Sequence, residues 1–356
     1  MNKLLYISLN DGSDMRINKE VKTLATRFEV DFVGVAQNED NAFVRPFVHE
    51  MALVAGERRQ LKTLLKFVVL VARKILTQRY HSVHVINEQP LLLLYPFLFF
   101  QKHVVLDLFD SLFLMKNKGG NQLAWLKKIV YAPAHVLIVT DENRRTLLPD
   151  GLQRAAVVVQ NYPYKLGNTP PKKRDNHLTI MYFGWLGTTR GTHTIEQLLL
   201  ADATVRVLMA GWCGDATSEN LAKHPNATWL GVLPQKEAMQ VAAQRADYIM
   251  CVYAPVEQNN INASPNKIYD AIQTRTPVIM NPEVRVHSFV KQHHLGYVMD
   301  QYEATDYKKM AADLLSQRQN YRFDDQLVDA FTWENVEKQL IDAHAGSFVP
   351  RPKMPQ

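Results

Sequence analysis

The sequence predicts an α/β protein with two doubly wound parallel sheets. Its 356 residues are enough for two domains of roughly 150–180 residues, each with its own core. Short apolar runs alternate with stretches of helical periodicity, which is the pattern of buried parallel strands joined by crossover helices. Near the middle, residues 166–177 combine glycine, two prolines and a run of charges, which predicts a linker. We therefore expect domains at 1–165 and 178–330, and a final helix and tail at 331–356.

The first domain opens with a strand, a tight loop, a helix and a second strand. The strands are predicted at Leu4–Leu9 and Val30–Val35, and the helix at Arg16–Arg27. In such a unit, ligands bind at the carboxyl ends of the strands. Gly12, in the loop after the first strand, therefore lies where a ligand can approach the backbone.

A later strand of this domain ends in acids. We predict that strand at His103–Asp110, and helices at Pro90–Phe100 and Lys116–Tyr131 on either side of it. Asp110, at the carboxyl end, is placed to accept a proton from a substrate hydroxyl. The alternative is that Asp107 or Asp110 only caps the following helix.

The second domain contains a strand, a polar loop and a helix start that together predict an anion site. Tyr248–Tyr253 reads as the strand, and the helix is predicted at Asn266–Thr274, with Ser264 as N-cap and Pro265 at its first position. Free amides and the positive end of the helix favour an anion there. Lys267 opposes the helix dipole unless an anion such as phosphate lies between them; alternatively, it points to solvent.

Here the sequence resembles a known family. The stretch "SPNKIYDAIQTRTPVI" is similar to the donor-binding signature of GT-B glycosyltransferases, close to the family 4 and family 1 group of bacterial polysaccharide assembly. "YFGWLGTTRG", "VVLDLFD", "VVVQNYP" and "FTWENVEKQLIDAH" resemble further motifs of this group in the right order. The resemblance implies two Rossmann-like domains that face a cleft, with the last helix crossing back to the first domain.

The resemblance also implies how the donor is held. Arg190 and Lys267 would grip the diphosphate of a nucleoside-diphosphate sugar from two sides, since a guanidinium can pair bidentately with phosphate. Asp270 would hold the ribose, while Glu257 and Asn262 compete for the place facing the sugar. The implied donor-binding residues are Gly184, Arg190, Gly211, Val232, Asn262, Ser264, Pro265, Asn266, Lys267 and Asp270, and the implied catalytic residues are Asp110, Arg190, Glu257 and Lys267.

Two departures from the family pattern limit how far the family's residue roles apply to this sequence. Trp185 stands where relatives commonly carry a second arginine, and Phe109 stands where many carry a histidine. On the acceptor side, the first loop resembles the family's acceptor-bordering loop through Gly12, Asp14 and Arg16. For Asp14, the alternative is a solvated loop residue without substrate contact.

We expect neither a metal nor a cofactor. The sequence contains no Asp-x-Asp triplet, the metal-binding motif of the other main glycosyltransferase fold. Fixed cations and a helix N-terminus can stabilise the charge that builds on a leaving diphosphate without a metal ion.

The chain carries a net charge of +6, but its basic residues are not interleaved with aromatics as in nucleic-acid-binding proteins. We therefore expect no nucleic-acid partner. Residues 57–80 form a basic amphipathic stretch that predicts peripheral contact with an anionic membrane; the alternative is a helix packed on the first sheet with its charges in water. The apolar window Pro90–Phe100 is shorter than the roughly 20 residues that span a bilayer. With no signal peptide recognised, we expect a cytoplasmic protein at the inner membrane face.

These observations predict a metal-independent glycosyltransferase of bacterial surface polysaccharide biosynthesis. The donor would be a nucleotide sugar and the acceptor a glycan or a lipid-linked sugar. Two alternatives are a nucleotide-sugar epimerase of the same fold and a non-catalytic nucleotide-sugar-binding partner of a membrane glycan complex.

Overall fold

A computed structural model describes residues 1–37, 43–116, 118–167, 172 and 176–346. It divides the chain into two compact units. Unit 1 comprises Met1–Asn161 with Val336–Gln356, and unit 2 comprises Tyr162–Asn335. Most of the predicted linker at 166–177 lies outside the described residues. Leu166, at its start, is described: it packs against Met239 and Ala243 of unit 2.

Unit 1 contains a seven-stranded parallel sheet in the order β3-β2-β1-β4-β5-β6-β7. Its strands are β1 (Asn2–Ile7), β2 (Phe28–Ala36), β3 (Glu50–Ala55), β4 (Ser82–Ile86), β5 (Val104–Leu108), β6 (Val136–Val139) and β7 (Ala156–Val158). Its helices are α1 (Met15–Leu24), α2 (Leu61–Thr77), α3 (Glu88–Leu93), α4 (Tyr95–Leu98), α5 (Leu112–Met115), α6 (Ala124–Val130), α7 (Glu142–Thr146), α8 (Asp150–Gln153) and, after unit 2, α17 (Glu337–Ala345).

The strand order decides on which face each helix of unit 1 lies. The connection from β1 to β2 runs across the sheet in one direction, and those from β3 to β4 and from β4 to β7 run in the other. Because parallel crossovers are right-handed, α1 covers one face, and α2 with α3 to α8 covers the opposite face. α17 packs on α1. The apolar core between α2, α4, α6 and the sheet includes Phe67, Val71, Leu98 and Val130.

Unit 2 contains a six-stranded parallel sheet in the order β10-β9-β8-β11-β12-β13. Its strands are β8 (Thr179–Leu186), β9 (Arg206–Cys213), β10 (Ala227–Trp229), β11 (Tyr248–Met250), β12 (Val278–Met280) and β13 (Gly296–Val298). Its helices are α9 (Thr192–Ala201), α10 (Ala216–Leu221), α11 (Gln235–Arg245), α12 (Gln258–Ile261), α13 (Asn266–Thr274), α14 (His287–Gln292), α15 (Tyr307–Gln317) and α16 (Asp325–Ala330). Short 3-10 helices lie at Arg45–Phe47 in unit 1 and at Thr188–Arg190 and Trp333–Asn335 in unit 2.

The two doubly wound sheets confirm the predicted fold class, but some elements differ. β3 was not predicted; of its six residues only Val54 is buried. The polar loop after Tyr253 contains a short helix, α12. The helix predicted across Trp333–His344 is divided into a 3-10 turn and α17. Among the described residues, no helix combines the length and the hydrophobicity needed to cross a bilayer.

Candidate donor site

Two glycines bring the carboxyl ends of β8 and β9 unusually close together. Gly184 and Gly211 are partners in the parallel register, and both have positive φ, of +94° and +134°. A Cβ on Gly211 would lie 1.9 Å from the carbonyl oxygen of Gly184, so β9 tolerates no side chain at position 211. The amide of Gly211 donates to Gly231 O at 2.9 Å. This places the half-buried Val232 in the loop beside the two glycines.

The loop that carries Arg190 is held from several sides. The Tyr182 hydroxyl accepts a hydrogen bond from the amide of Gly187 at 2.7 Å. The carboxylate of Asp215 accepts from the amide of Thr188 at 2.7 Å. On the other side, the amide of Ala254 donates to Thr189 O at 3.0 Å. The loop after β8 is therefore tied to the loop after β11.

The Arg190 guanidinium of this loop contacts two residues that follow β11. Its carbon lies 4.3 Å from the centroid of the Tyr253 ring, within the range of cation–π attraction. Its Nη1 donates to Asn260 Oδ1 at 3.1 Å. Asn260 is itself fixed, since its Nδ2 donates to Ala254 O at 2.8 Å. These two contacts fix the position of the guanidinium beside the carboxyl ends of the strands. Its remaining N–H groups can donate to a ligand.

The start of α13 differs in detail from the prediction. Pro265, and not Ser264, occupies the N-cap position, and no side chain of the described residues caps this helix. Ser264 instead shares a hydrogen bond with the Tyr269 hydroxyl, at 3.2 Å. Asn266, Lys267 and Ile268 follow as the first turn. The uncapped first turn leaves amide donors and the positive helix end for an anion.

Lys267 is half-buried and turned toward the first strand of unit 2, which argues against the alternative of a side chain in open solvent. Its Nζ lies 5.4 Å from the centroid of the Phe183 ring and 3.3 Å from the position that a Cβ on Gly184 would occupy. The missing side chain at Gly184 thus leaves room for the ammonium group. The lysine reaches from the first turn of α13 to the carboxyl end of β8.

Lys267 lies near enough to Arg190 and Asp270 for both of their charges to influence its pKa. Burial is the main cause that lowers the pKa of Lys267; Cys251 and Asp270 oppose this shift, and the positive charge of Arg190 adds to it. Burial also raises the pKa of the Cys251 thiol to about 12, so this thiol is neutral at physiological pH. Two cations that repel each other beside a bare helix start are an arrangement that a diphosphate would relieve.

The three polar residues predicted to contact the ribose and the sugar have different surroundings. Asp270 is buried and accepts a hydrogen bond from Gln235 Nε2 of α11 at 2.7 Å. Asn262 is buried, and its Nδ2 donates to Gln258 O at 2.8 Å and to Gln258 Oε1 at 2.9 Å. Glu257 is half-buried at the N-cap position of α12, where its side chain makes no capping bond. Because the amide nitrogen of Asn262 serves its own loop, Glu257 is the better candidate for the sugar-facing place.

In unit 1, the predicted acceptor residues Gly12 and Asp14 make contacts within the unit itself. Gly12 has φ +90°, and a Cβ there would meet Val44 Cγ2 at 2.5 Å, so Val44 already fills the predicted ligand approach. Asp14 is the N-cap of α1 and accepts from the amides of Arg16 and Ile17; burial raises its pKa, and these two amides oppose that shift. The contact with Val44 argues against a ligand approach at Gly12, whereas Asp14 is partly exposed and serves as the N-cap of α1.

Arg16 likewise serves the interior of unit 1. Only 2% of its surface is exposed. It forms ion pairs with Glu20 and Asp107, both at 2.8 Å, and donates to Val159 O at 2.8 Å. The resemblance of the first loop to the family's acceptor-bordering loop placed Arg16 at the acceptor, whereas two of its partners, Asp107 and Val159, come from distant parts of the chain. We therefore leave Arg16 out of the proposed acceptor site.

The same network concerns the only grouping of possible metal ligands found in the described part of the chain. Glu20, His84 and Asp107 are buried together, with one ligand atom of each within 4.8 Å of the others. The Arg16 guanidinium already pairs with both carboxylates. A cation here would have to compete with that buried guanidinium, so the cluster is a structural network.

The two acids at the end of β5 have separate roles. Asp107 is buried in the strand as a partner of Arg16. Asp110 is exposed, and its amide, like that of Phe109, donates to Asn87 Oδ1. Neither acid caps α5; the amide of Leu112 donates to Glu88 instead. The predicted capping alternative is therefore wrong, and Asp110 is a carboxylate on a fixed backbone at a strand end.

Three residues of the site in unit 2 were missed by the sequence analysis: Tyr253, Asn260 and Gln235. Each contacts a predicted residue through the fold, over separations of 63, 70 and 35 positions. The polar loop after β11 was recognised, but nothing in "QNNIN" marks which asparagine is turned toward Arg190. Only the backbone course of α12 selects Asn260.

No family model and no curated protein matches this chain. Solved structures do. Sucrose-phosphate synthase from Thermosynechococcus elongatus is 16% identical with a TM-score of 0.72, covering 98% of this chain and 99% of that one. Anabaena Alr3699/HepE, crystallised with UDP and glucose, is 13% identical with a TM-score of 0.68 (97% and 100% covered). The lipopolysaccharide outer core galactosyltransferase WaaB is 14% identical with a TM-score of 0.61 (98% and 100%). The chain therefore has the GT-B fold of these glycosyltransferases.

Proposed function

We propose that this protein is a glycosyltransferase that takes a sugar from a nucleoside-diphosphate sugar bound by unit 2. One observation carries the proposal: Arg190, Lys267 and the uncapped start of α13 gather at the carboxyl ends of β8 and β11. That position is where doubly wound sheets bind their ligands. A diphosphate matches this site in charge and in its need for N–H donors.

The chemistry follows from the leaving group. An acceptor oxygen forms a bond to the anomeric carbon, and the bond from that carbon to the β-phosphate oxygen breaks. The nucleoside diphosphate leaves with the electron pair, so negative charge grows on its β-phosphate. Arg190, Lys267 and the first amides of α13 stabilise that charge from fixed positions. We therefore propose a reaction that requires neither a metal ion nor a cofactor.

The remaining donor contacts are assigned by proximity to this phosphate position. Gly184 and Gly211 let the backbone approach the nucleotide, and Val232 lies in the adjacent loop. Asp270 is proposed to hold the ribose and Glu257 to face the sugar. In support of a nucleotide-sugar donor, Alr3699/HepE was crystallised with UDP-glucose.

We further propose that the acceptor is a glycan or a lipid-linked sugar of bacterial surface polysaccharide, and that the protein acts at the inner face of the cell membrane. Asp110 of unit 1 is the proposed proton acceptor for the attacking hydroxyl, because it is exposed at a strand end. WaaB, a lipopolysaccharide galactosyltransferase, offers support by analogy, and the exposed side chains of α2 support the membrane contact predicted for 57–80.

The test is a thermal-shift screen of sugar nucleotides with the purified full-length protein, followed by product analysis with the best donor. Transfer to an added acceptor, or slow hydrolysis of the donor, is expected. The same fold also carries nucleotide-sugar epimerisation, so release of an epimerised sugar would replace transfer as the function. Binding without any turnover would identify a non-catalytic partner.

A further inference from the structure

Helix α2 of unit 1 has two opposite apolar faces. One face, with Thr63, Phe67, Val71 and Ile75, is buried against the sheet. This matches the predicted alternative of a helix packed on the first sheet. The opposite face does not consist only of charges in water, because it carries four large aliphatic side chains.

Those four side chains form a single stripe. Leu61, Leu65, Val69 and Leu76 are between 58% (Leu65) and 75% (Leu76) exposed. With about 100° of rotation per residue, they fall within roughly 80° of one another. Because these side chains are exposed, they do not contribute to the core of unit 1. A contiguous apolar stripe on a surface helix indicates an interaction site.

Cations flank the stripe. Lys62, Lys66 and Arg73 are exposed and follow stripe residues along the same side of the helix, and Leu61–Thr77 contains no acidic residue. Lys74, which the sequence pattern grouped with these cations, is buried and pairs with Glu50 at 2.7 Å. The exposed charge is therefore on one side and of one sign.

Exposed aromatic side chains lie on two other helices of the same face of the sheet. α4 and α6 lie on the α2 side of the sheet, and they touch where the Tyr95 hydroxyl donates to Ile129 O at 2.8 Å. Phe99, next to Tyr95, lies 5.8 Å from the exposed Phe100, centroid to centroid. On α6, Trp125 is 65% exposed and stands one turn from Ile129.

We infer that this α2–α4–α6 surface (Leu61, Leu65, Val69, Leu76, Phe99, Phe100, Trp125 and Ile129, with Lys62, Lys66 and Arg73) docks on a bilayer that contains anionic lipid. Aliphatic groups enter the interface, aromatic rings rest at the head groups, and the cations meet lipid phosphates. The inference deepens the proposed function, because it rests on an acceptor presented at a membrane and extends the contact beyond α2. The unbalanced positive charge of Leu61–Thr77 beside the aliphatic stripe favours anionic lipid as the partner.

The test is flotation of the full-length protein with vesicles of equal parts phosphatidylglycerol and phosphatidylcholine, and with vesicles of phosphatidylcholine alone. The wild type is expected to float only with the anionic vesicles. Lys62→Gln/Lys66→Gln/Arg73→Gln should weaken binding on the order of a hundredfold, since each cation near an anionic surface contributes about one factor of five. Leu65→Gln/Val69→Gln and Phe100→Ser/Trp125→Ser should each lose flotation.

Matched controls lie in unit 2. Lys236→Gln/Lys308→Gln/Lys309→Gln removes three exposed cations, and Leu200→Gln removes an exposed leucine; both should float as the wild type does. Equal binding to neutral vesicles, or unchanged flotation of the cation variant, would overturn the inference. So would sedimentation showing a dimer that Leu65→Gln/Val69→Gln dissociates. If nucleotide sugars raise the melting temperature of the wild type but the protein does not float, only the membrane-docking surface is rejected. If no nucleotide sugar raises that temperature, the proposed function is rejected.

Discussion

The side-chain amide of Asn260 accepts a hydrogen bond from the Arg190 guanidinium at 3.1 Å and donates to Ala254 O at 2.8 Å. Arg190 comes from the loop after β8, and Asn260 lies on α12, after β11. Together with the contact to the Tyr253 ring, this link fixes the direction of the guanidinium. It also gives the short helix α12 a part in the site.

Asn260→Ala is expected to lower kcat/KM for the donor by about tenfold or more, because a hydrogen bond to a charged group contributes about 1.5–3 kcal/mol. Steady-state kinetics with the donor identified by the thermal-shift screen measures this. Asn320→Ala, at an exposed position of unit 2, is the control. If Asn260→Ala matched the control, Arg190 would not depend on Asn260.

Arg190→Ala and Lys267→Ala should each lower turnover on the order of 10²–10³-fold, as expected when one fixed stabiliser of transition-state charge is removed. Arg190→Lys should recover only part of the loss, since an ammonium group cannot pair bidentately. Initial rates with and without EDTA provide the second readout. Chelator should have little effect, and strong inhibition by EDTA would contradict the proposed metal-independent reaction.

Gly211→Ala should destabilise unit 2 by about 3 kcal/mol or more, through both the collision with Gly184 O and the strain of a positive φ. Gly231→Ala is the matched control: its φ is +74°, but nothing lies within 4 Å of its Cβ position. Strain alone should cost that variant about 1 kcal/mol. Urea unfolding of the two variants compares them. Equal losses of unfolding free energy in the two variants would show that the close contact of β8 and β9 adds nothing to the backbone strain.

His344 of α17 predicts a pH-dependent stability of unit 1. Its Nε2 lies 3.0 Å from His84 Nδ1, and its Nδ1 lies 2.7 Å from Ser82 Oγ. Burial, with His103 and His81 nearby, lowers the pKa of His344 to about 3. As the pH falls, the unfolded chain takes up a proton on His344 near pH 6.5, whereas the folded chain does so only near pH 3. The contribution of neutral His344 to the free energy of unfolding is therefore complete above about pH 6.5. Between pH 6.5 and 3 the free energy of unfolding decreases by up to about 1.4 kcal/mol per pH unit.

Other buried groups of the same network titrate too, and not all in the same sense. Burial lowers the pKa of His84, which adds to the effect, whereas burial raises the pKa of Glu20, which opposes it. The measurement is therefore a difference: unfolding free energy against pH for wild type and for His344→Gln. The variant should show a shallower loss below pH 6.5, and the exposed-site variant His193→Gln should follow the wild type. Parallel curves for all three would refute the prediction.

Much of the fold could be read from local pattern. The range of α13 is as predicted, because its apolar period and the proline before it are local signals. β3 was missed because it lies toward the sheet edge, where partial burial relaxes the apolar pattern. Of the helix predicted at Lys116–Tyr131, only the second half forms α6 (Ala124–Val130), and the unpredicted α5 ends before it at Met115. Periodicity does not show where a chain must turn to follow its sheet.

The sequence by itself determined the doubly wound architecture and singled out the two cations of the proposed donor site, because strand ends, helix starts and glycine positions are features of short stretches. The tertiary structure alone decided the fate of the other polar residues. It buried Arg16 with Glu20 and Asp107, put Val44 against Gly12, and turned Asn260 toward Arg190. A charged side chain has the same local signature whether it meets a ligand or a distant partner, and only the packing of remote segments separates the two.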